Sequence, residues 1–234
     1  MGRNRRNLRL NERIEDVRTG NPTTVQQFEL FEIKAHYDQS MALIEKQFDI
    51  ADKLNQEGKI EESKAILRSQ VVFLQGVLDF YIHEISKYAL YHIFKGEWNQ
   101  TERYNNFLVP MFEVEKAIES PESKEWFFSY LNKRFSREVF LSAESLKDQL
   151  NLIGIEFNEV MSRAFPRDTE EQSRAEGKEI VMEMFVRRNS IAHQLDRKHE
   201  TAEQEEIDKE YVNKFMENTK AIVTAIHTIA ESKG

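Results

Sequence analysis

The chain has 234 residues, 40% of them hydrophobic and 32% charged, with 41 acids against 33 Lys plus Arg and no Cys. That is enough to bury a core in one large domain or two small ones, and the lack of Cys excludes a disulfide framework, a thiolate zinc site and a cysteine nucleophile. Aromatic residues at 11%, 16 Phe among them, are too much core material for a disordered chain, and 8 Gly with 4 Pro are too few for the turns of an all-β fold. The class read from composition is all-α.

Charge is unevenly spread. Residues 1–18 carry six Arg and three acids, a net of +3, so the remainder holds 27 bases and 38 acids, a net of −11. A basic arm over 1–20 on an acidic body can follow a phosphate backbone or be a frayed polar terminus. No apolar segment follows the arginines, and the most apolar stretches, Val71–Leu78 and Ala221–Ala230, are broken by Gln75 and His227. A spanning helix needs about 20 apolar residues, so neither a secretory signal nor a membrane span is expected and the cytoplasm is the expected compartment.

Asn21-Pro22-Thr23-Thr24 reads as a turn and helix N-cap. Phe28, Phe31, Tyr37, Met41, Ile44, Phe48, Ala51 and Leu54 then recur at mostly three- and four-residue steps, predicting one long amphipathic helix that ends at Gly58. Ile60, Ala65, Leu67, Val71, Leu74, Leu78, Ile82, Ile85 and Ala89 make the next stripe. Two long helices with so short a link must pack as an antiparallel hairpin.

The middle third is broken into short pieces. Phe107–Ala117 reads as helical, Ser120-Pro121 as the start of a helix carrying Trp126, Phe127, Tyr130 and Leu131, and Ser142 as the cap of another with Leu146 and Leu150. Ile155–Phe165 predicts one more before Pro166. Residues 95–167 are therefore expected to be an insertion of short helices over the end of a bundle. Thr169 with Gln172 forms a capping-box pattern leading into a long helix, Ile180 through Leu195. A polar, acidic connector follows to about Glu206, then a last stripe of Ile207, Tyr211, Phe215, Ile222, Ile226 and Ile229. The expected architecture is a four-helix up-down bundle with that insertion, one domain over 21–234.

There is no Gly-rich phosphate loop, no His-Glu-x-x-His and no Gly-x-Ser-x-Gly elbow. His36, His83, His92, His193, His199 and His227 are dispersed, so neither a metal nor another cofactor is expected. One segment breaks the helical pattern, Arg187-Arg188-Asn189-Ser190-Ile191-Ala192-His193. The stripe Ile180, Met184, position 188, Ile191, Leu195 carries an arginine at 188. A guanidinium amid apolar residues costs several kcal/mol, on the order of a buried unpaired charge, unless it is paired or lines a cleft or interface. Asn189 and His193 stack one turn apart, whereas Arg188 and His193 differ by about 140° and cannot meet within one helix.

Arg188-Asn189-Ser190-Ile191-Ala192-His193 resembles the Arg-Asn-x-x-x-His motif of HEPN domains, the "higher eukaryotes and prokaryotes nucleotide-binding" family. The wider run through Arg197 resembles the RiboL-PSP-type subgroup, which tends to carry an upstream Asp-x-x-x-His, matched here by Asp79 and His83. The resemblance covers about 25–95 and 169–231. It implies a metal-independent endoribonuclease, often a toxin or an effector of antiviral defence, working as a two-fold dimer in which two motif helices form one cleft. The alternative is an inactive HEPN module that binds nucleotide or RNA, or scaffolds a complex.

RNA supplies its own nucleophile, the 2′-hydroxyl. An imidazole suits the proton transfer, and a guanidinium suits the charge gathering on the phosphorane-like transition state. Arg188 and His193 are thus the expected catalytic residues, with Asn189 in support. Arg187 either contacts the RNA backbone or is solvated, and Asp79 with His83 either faces the cleft or braces two helices. Expected partners are RNA, a second copy of the chain, and an antitoxin or defence-system protein. The subgroup silenced by modification of a Tyr two residues after the motif His has no counterpart here, because that position is Leu195.

Overall fold

The computed structural model describes residues 26–233; the basic arm and the expected cap at 21–24 lie outside the described residues. The described chain is all-α, with ten helices: α1 (Leu30–Glu45), α2 (Gln47–Gln56), α3 (Ile60–Lys95), α4 (Glu102–Asn105), α5 (Met111–Glu119), α6 (Glu125–Phe135), α7 (Ala143–Leu152), α8 (Phe157–Ala164), α9 (Glu170–Gln194) and α10 (Lys209–Glu231). The first predicted helix is α1 and α2 in series, interrupted only at Lys46, which keeps helical angles (φ −62°, ψ −19°). Its buried stripe is Ile33, Tyr37, Met41, Ile44, Phe48 and Ala51. Phe31, assigned to that stripe by spacing, is 71% exposed. Gly58 takes φ +77° just past α2, and Lys59 N–H closes on the Leu54 carbonyl at 2.9 Å. That left-handed link turns the chain straight back into α3 as the hairpin requires.

The centre of the molecule is α3. It packs against α1, α2, α6, α7, α9 and α10, and Val71, Leu74, Leu78, Ile82, Ile85, Ala89 and Leu90 are fully enclosed. Being covered on several sides, it can be apolar nearly all round. One 18-residue window reaches a mean hydropathy of 1.3, long and apolar enough by composition to cross a membrane, and half of that window is buried inside the fold. This apolar window is longer than the Val71–Leu78 stretch that stands out on inspection.

The middle third departs most from expectation. Phe107–Pro110 is not helical, and α5 begins only after Pro110, because a proline ring cannot sit in a helix interior. Ser120-Pro121 starts a turn, with the Ser123 N–H donating to the Ser120 carbonyl at 3.1 Å, and α6 begins four residues later. Pro at the second position of a turn uses the same fixed φ as Pro at a helix start. Nor does the whole segment lie over a bundle end. Helix α8 packs against both α9 and α10, and Ile155, Phe157, Val160 and Met161 join the main core. Close approach is possible because position 177 on α9 is Gly: a Cβ there would stand 2.8 Å from the Met161 sulfur and 2.9 Å from the Met161 Cβ.

The expected capping box forms, with Thr169 Oγ1 accepting from Gln172 N–H at 3.2 Å and Gln172 Oε1 accepting from Thr169 N–H at 3.2 Å. The core-facing positions of α9 are Ser173, Gly177, Val181, Met184, Arg188 and Ile191. Ile180 is only half-buried, and Leu195 is outside the helix, 69% exposed at φ +52°.

Candidate functional site

Arg188 sits where the stripe puts it, on the core-facing side of α9, half-buried between Met184 and Ile191. Its Nη1 donates to Asn189 Oδ1 at 2.9 Å, while its Nε is buried without a partner. Across from it on α3, Asp79 Oδ1 accepts the Phe140 N–H at 2.8 Å and lies 3.7 Å from His83 Nε2. His83 Nε2 is 3.1 Å from the Glu138 carbonyl. A carbonyl can only accept, so that nitrogen carries hydrogen. The Phe140 ring lies 4.7 Å from the His83 ring. Burial pushes the Asp79 carboxyl above its ordinary range, against the Phe140 N–H and the charges of His83 and Arg188, which pull it down. One chain therefore brings Asp79, His83, Arg188 and Asn189 together, walled by the segment 138–140.

His193 is not part of that group. It is exposed in the last turn of α9, about 140° around the helix from Arg188. It shares a face instead with Met182, Val186 and Asn189, all within about 60° of one another. Met182 and Val186 are exposed. On α3, Phe73 and Phe80 are exposed two turns apart, with Gly76 between them, where an added Cβ would meet nothing.

Arg187 occupies a different environment from its neighbour. Its Nη2 donates to the Glu206 carbonyl at 2.9 Å and lies 2.8 Å from Asp196 Oδ2, and the guanidinium stands 5.5 Å over the Tyr211 ring. Asp196 Oδ2 also accepts from Arg68 Nε at 3.0 Å, and Arg68 Nη2 reaches the Glu205 carbonyl at 2.7 Å. The connector expected to be merely polar is thus pinned at Asp196, which is 0% exposed at φ +62°; its Oδ1 is buried without a partner. Burial pushes its carboxyl upward, against Arg68 and Arg187. Sequence reasoning misses both Arg68 and Asp196. Arg68 stands on the apolar stripe of α3 and carries the signal that marked Arg188.

Of the remaining histidines, His199 is exposed in the connector, whereas His227 packs against α3, its Nδ1 3.1 Å from the Tyr81 hydroxyl. Among the described residues no three His, Asp or Glu side chains converge as a metal site.

No curated protein and no solved structure matches the chain. A family model does, that of RiboL-PSP-HEPN, over residues 36–232. The match takes in the middle third, which the motif resemblance left outside. It spans α8, the helix built into the core between α9 and α10, and it spans the Arg188–His193 motif. The chain belongs to the RiboL-PSP-HEPN family.

Proposed function

We propose that the protein is a metal-independent endoribonuclease that cleaves RNA by attack of the 2′-hydroxyl at a cleft shared by two copies of the chain. The observation that carries this reading is the pair of opposed faces on α9. Arg188 looks inward with an unpartnered Nε, and His193 looks outward in line with exposed Met182 and Val186. A second copy docked on that outward face covers the apolar residues and brings two His193 rings into one cleft edge. Two-fold contact lets each copy contribute the group that the other cannot place.

In that cleft His193 transfers the proton from the 2′-hydroxyl or to the leaving 5′-oxygen. Arg188 meets the charge on the phosphoryl oxygens with two parallel hydrogen bonds. Asn189 steers Arg188, since its Oδ1 already holds Nη1 at 2.9 Å. Asp79 and His83 back the guanidinium from α3. Arg187 is committed to Asp196 and Glu206, which favours a scaffolding role over direct RNA contact. Unrestrained cleavage of cytoplasmic RNA would harm the host cell, so the activity fits a toxin or antiviral effector held in check by an antitoxin or defence-system partner.

Incubating the purified chain with mixed RNA in EDTA tests the mechanism. Cleavage leaving 2′,3′-cyclic phosphate ends is expected; activity that appears only with added Mg²⁺ or Mn²⁺ overturns it. Light scattering tests the shared cleft, with Val186→Glu expected to give a monomer that no longer cleaves. A fully active monomer rules the shared cleft out. A second reading, an RNA- or nucleotide-binding module without catalysis, draws on the separation of Arg188 from His193 within one chain. RNA bound by a dimer that leaves it intact would favour it.

A further inference from the structure

In-line displacement at a phosphodiester needs proton transfer at two places. The 2′-oxygen loses a proton on one side of phosphorus, while the 5′-oxygen gains one on the opposite side. One imidazole cannot stand at both. His193 faces outward from α9, about 140° around the helix from Arg188, so it does not serve the side of the guanidinium that looks onto α3. The imidazole on that side is His83, whose charge and that of Arg188 both reach the Asp79 carboxyl.

The surroundings of His83 leave one of its nitrogens open to a proton. Its Nε2 donates to the Glu138 carbonyl at 3.1 Å, so in the neutral ring the lone pair is on Nδ1. Nδ1 has no hydrogen-bond partner among the described residues and is not one of the enclosed polar atoms; the side chain is 17% exposed. Behind the ring, Asp79 Oδ1 lies 3.7 Å from Nε2 and is itself fixed by the Phe140 N–H at 2.8 Å. A carboxylate on the N–H side of an imidazole holds the tautomer and stabilises the imidazolium that forms when the other nitrogen accepts a proton. The Phe135 and Phe140 rings stand 6.4 and 4.7 Å from the His83 ring and set its plane. His227, which does brace two helices, has both nitrogens occupied, by the Tyr81 hydroxyl at 3.1 Å and the Glu231 carboxylate at 3.5 Å.

We infer that His83 is the general base of the cleavage, taking the 2′-hydroxyl proton on Nδ1, and that His193 of the second copy is the general acid. This division of labour rests on the ribonuclease reading and gives its two imidazoles separate tasks. The 2′-O–H bond breaks toward His83 Nδ1 as the 2′-oxygen closes on phosphorus. The P–O5′ bond breaks with its electron pair on the 5′-oxygen, which takes a proton from His193. Arg188 meets the charge between them. His83 ends as an imidazolium against Asp79 and His193 ends neutral, and proton exchange with water restores both.

A leaving group that needs no acid separates the two tasks. An RNA is prepared with sulfur in place of the bridging 5′-oxygen at a position the wild type cuts; thiols ionise near pH 8.5, about as a cysteine does, so a thiolate departs without protonation. On ordinary RNA, His83→Gln and His193→Ala are each expected to lose about 10²–10⁴ in rate. On the sulfur-substituted RNA, His193→Ala is expected to return close to the wild-type rate, whereas His83→Gln keeps its loss. Gln offers an amide N–H to the Glu138 carbonyl and has no basic nitrogen. Asp79→Asn keeps an oxygen for the Phe140 N–H and is the second variant: it is expected to slow both substrates by the same factor, because the imidazolium loses its counter-charge.

Cleavage of ordinary RNA at the parent rate by His83→Gln overturns the assignment, makes His83 a brace and leaves the ribonuclease reading standing. Where His83→Gln does not fold, the parent rate in Asp79→Asn has the same meaning. Recovery of either α3 variant on the sulfur-substituted RNA places His83 at the leaving group and overturns its role as base. A wild type that cuts no RNA overturns the ribonuclease reading, and the assignment falls with it.

Discussion

Two arginines adjacent in sequence meet opposite fates. Arg187 has its guanidinium filled by Asp196 Oδ2, the Glu206 carbonyl and the face of Tyr211. Arg188 has one side-chain bond, to its neighbour Asn189, and a buried Nε with none. The first is what a guanidinium does when it holds a fold together: a counter-charge, a carbonyl and an aromatic face all in contact, although its Nε too is buried without a partner. The second has been taken part-way out of water and left with capacity, the state of a group awaiting an anion. Neither burial nor the Nε donor separates the two; the carboxylate in contact does, since Asp196 Oδ2 lies 2.8 Å from Arg187 while the side-chain bond of Arg188 goes to a neutral amide.

Activity is where the largest difference between them should show. His193→Ala should lower RNA cleavage by about 10²–10⁴ through lost proton transfer. Arg188→Ala should lower it by about 10²–10³ through lost charge stabilisation. Both variants should melt with the parent, because His193 is exposed and Arg188 gives up an unpartnered donor. A gel assay on RNA beside thermal melts reads both quantities. His199→Ala, in the exposed connector, is the control that should cut normally. Cleavage by His193→Ala at the parent rate removes the catalytic assignment and leaves the binding-module reading.

Stability should show the reverse ordering. Asp196→Ala strips the shared counter-charge from Arg68, itself only 7% exposed, and from Arg187. Breaking a buried pair from one side costs about 3–5 kcal/mol. The backbone bonds there, Asp196 N–H to the Ser190 carbonyl and Glu205 N–H to the Asp196 carbonyl, remain in the Ala variant, so the loss reports the carboxylate alone. Denaturant unfolding measures the loss. An Asp196→Ala protein as stable as the parent would show that the junction is ornamental and that Arg187 is as free for RNA as Arg188.

Why one arginine was legible in the sequence and the other's partner was not follows from range. Helical spacing, caps and glycine links are local, so α2–α3, the Thr169 cap and the guanidinium on the α9 stripe could all be read by counting. The middle third depends on what packs across it. Ser120-Pro121 fits a turn as well as a helix start, and nothing local says that α8 will fill the space beside α9, although Gly177 hints at a close neighbour. The Arg68–Asp196 bond joins residues 128 apart in the chain. Asp tolerates positive φ better than most residues, but no periodicity reports that it is buried. The motif itself gave residue types, and the resemblance gave them a chemistry. Only the packing showed Arg188 facing α3 while His193 faces out.

The smallest effect concerns the carboxylates behind the two arginines, and pH can distinguish burial from pairing there. Asp79 is pushed up by burial, with the Phe140 N–H, His83 and Arg188 working against the shift. A carboxyl whose folded value lies above its unfolded one binds its proton more readily when folded. Its contribution is fully present below the unfolded value, 3.8, and is lost as pH rises through the folded value. Asp79→Asn keeps an oxygen for the Phe140 N–H and removes the titration. The parent should therefore lose stability relative to Asp79→Asn as pH climbs from about 3.5 into the neutral range, where the folded parent carries the charge at a cost. Urea unfolding of both proteins across that range gives the difference curve. If the parent instead gains on Asp79→Asn with rising pH, the carboxylate is held chiefly by Arg188 and His83, and Arg188 is a paired structural guanidinium like Arg187, no longer one poised for phosphate.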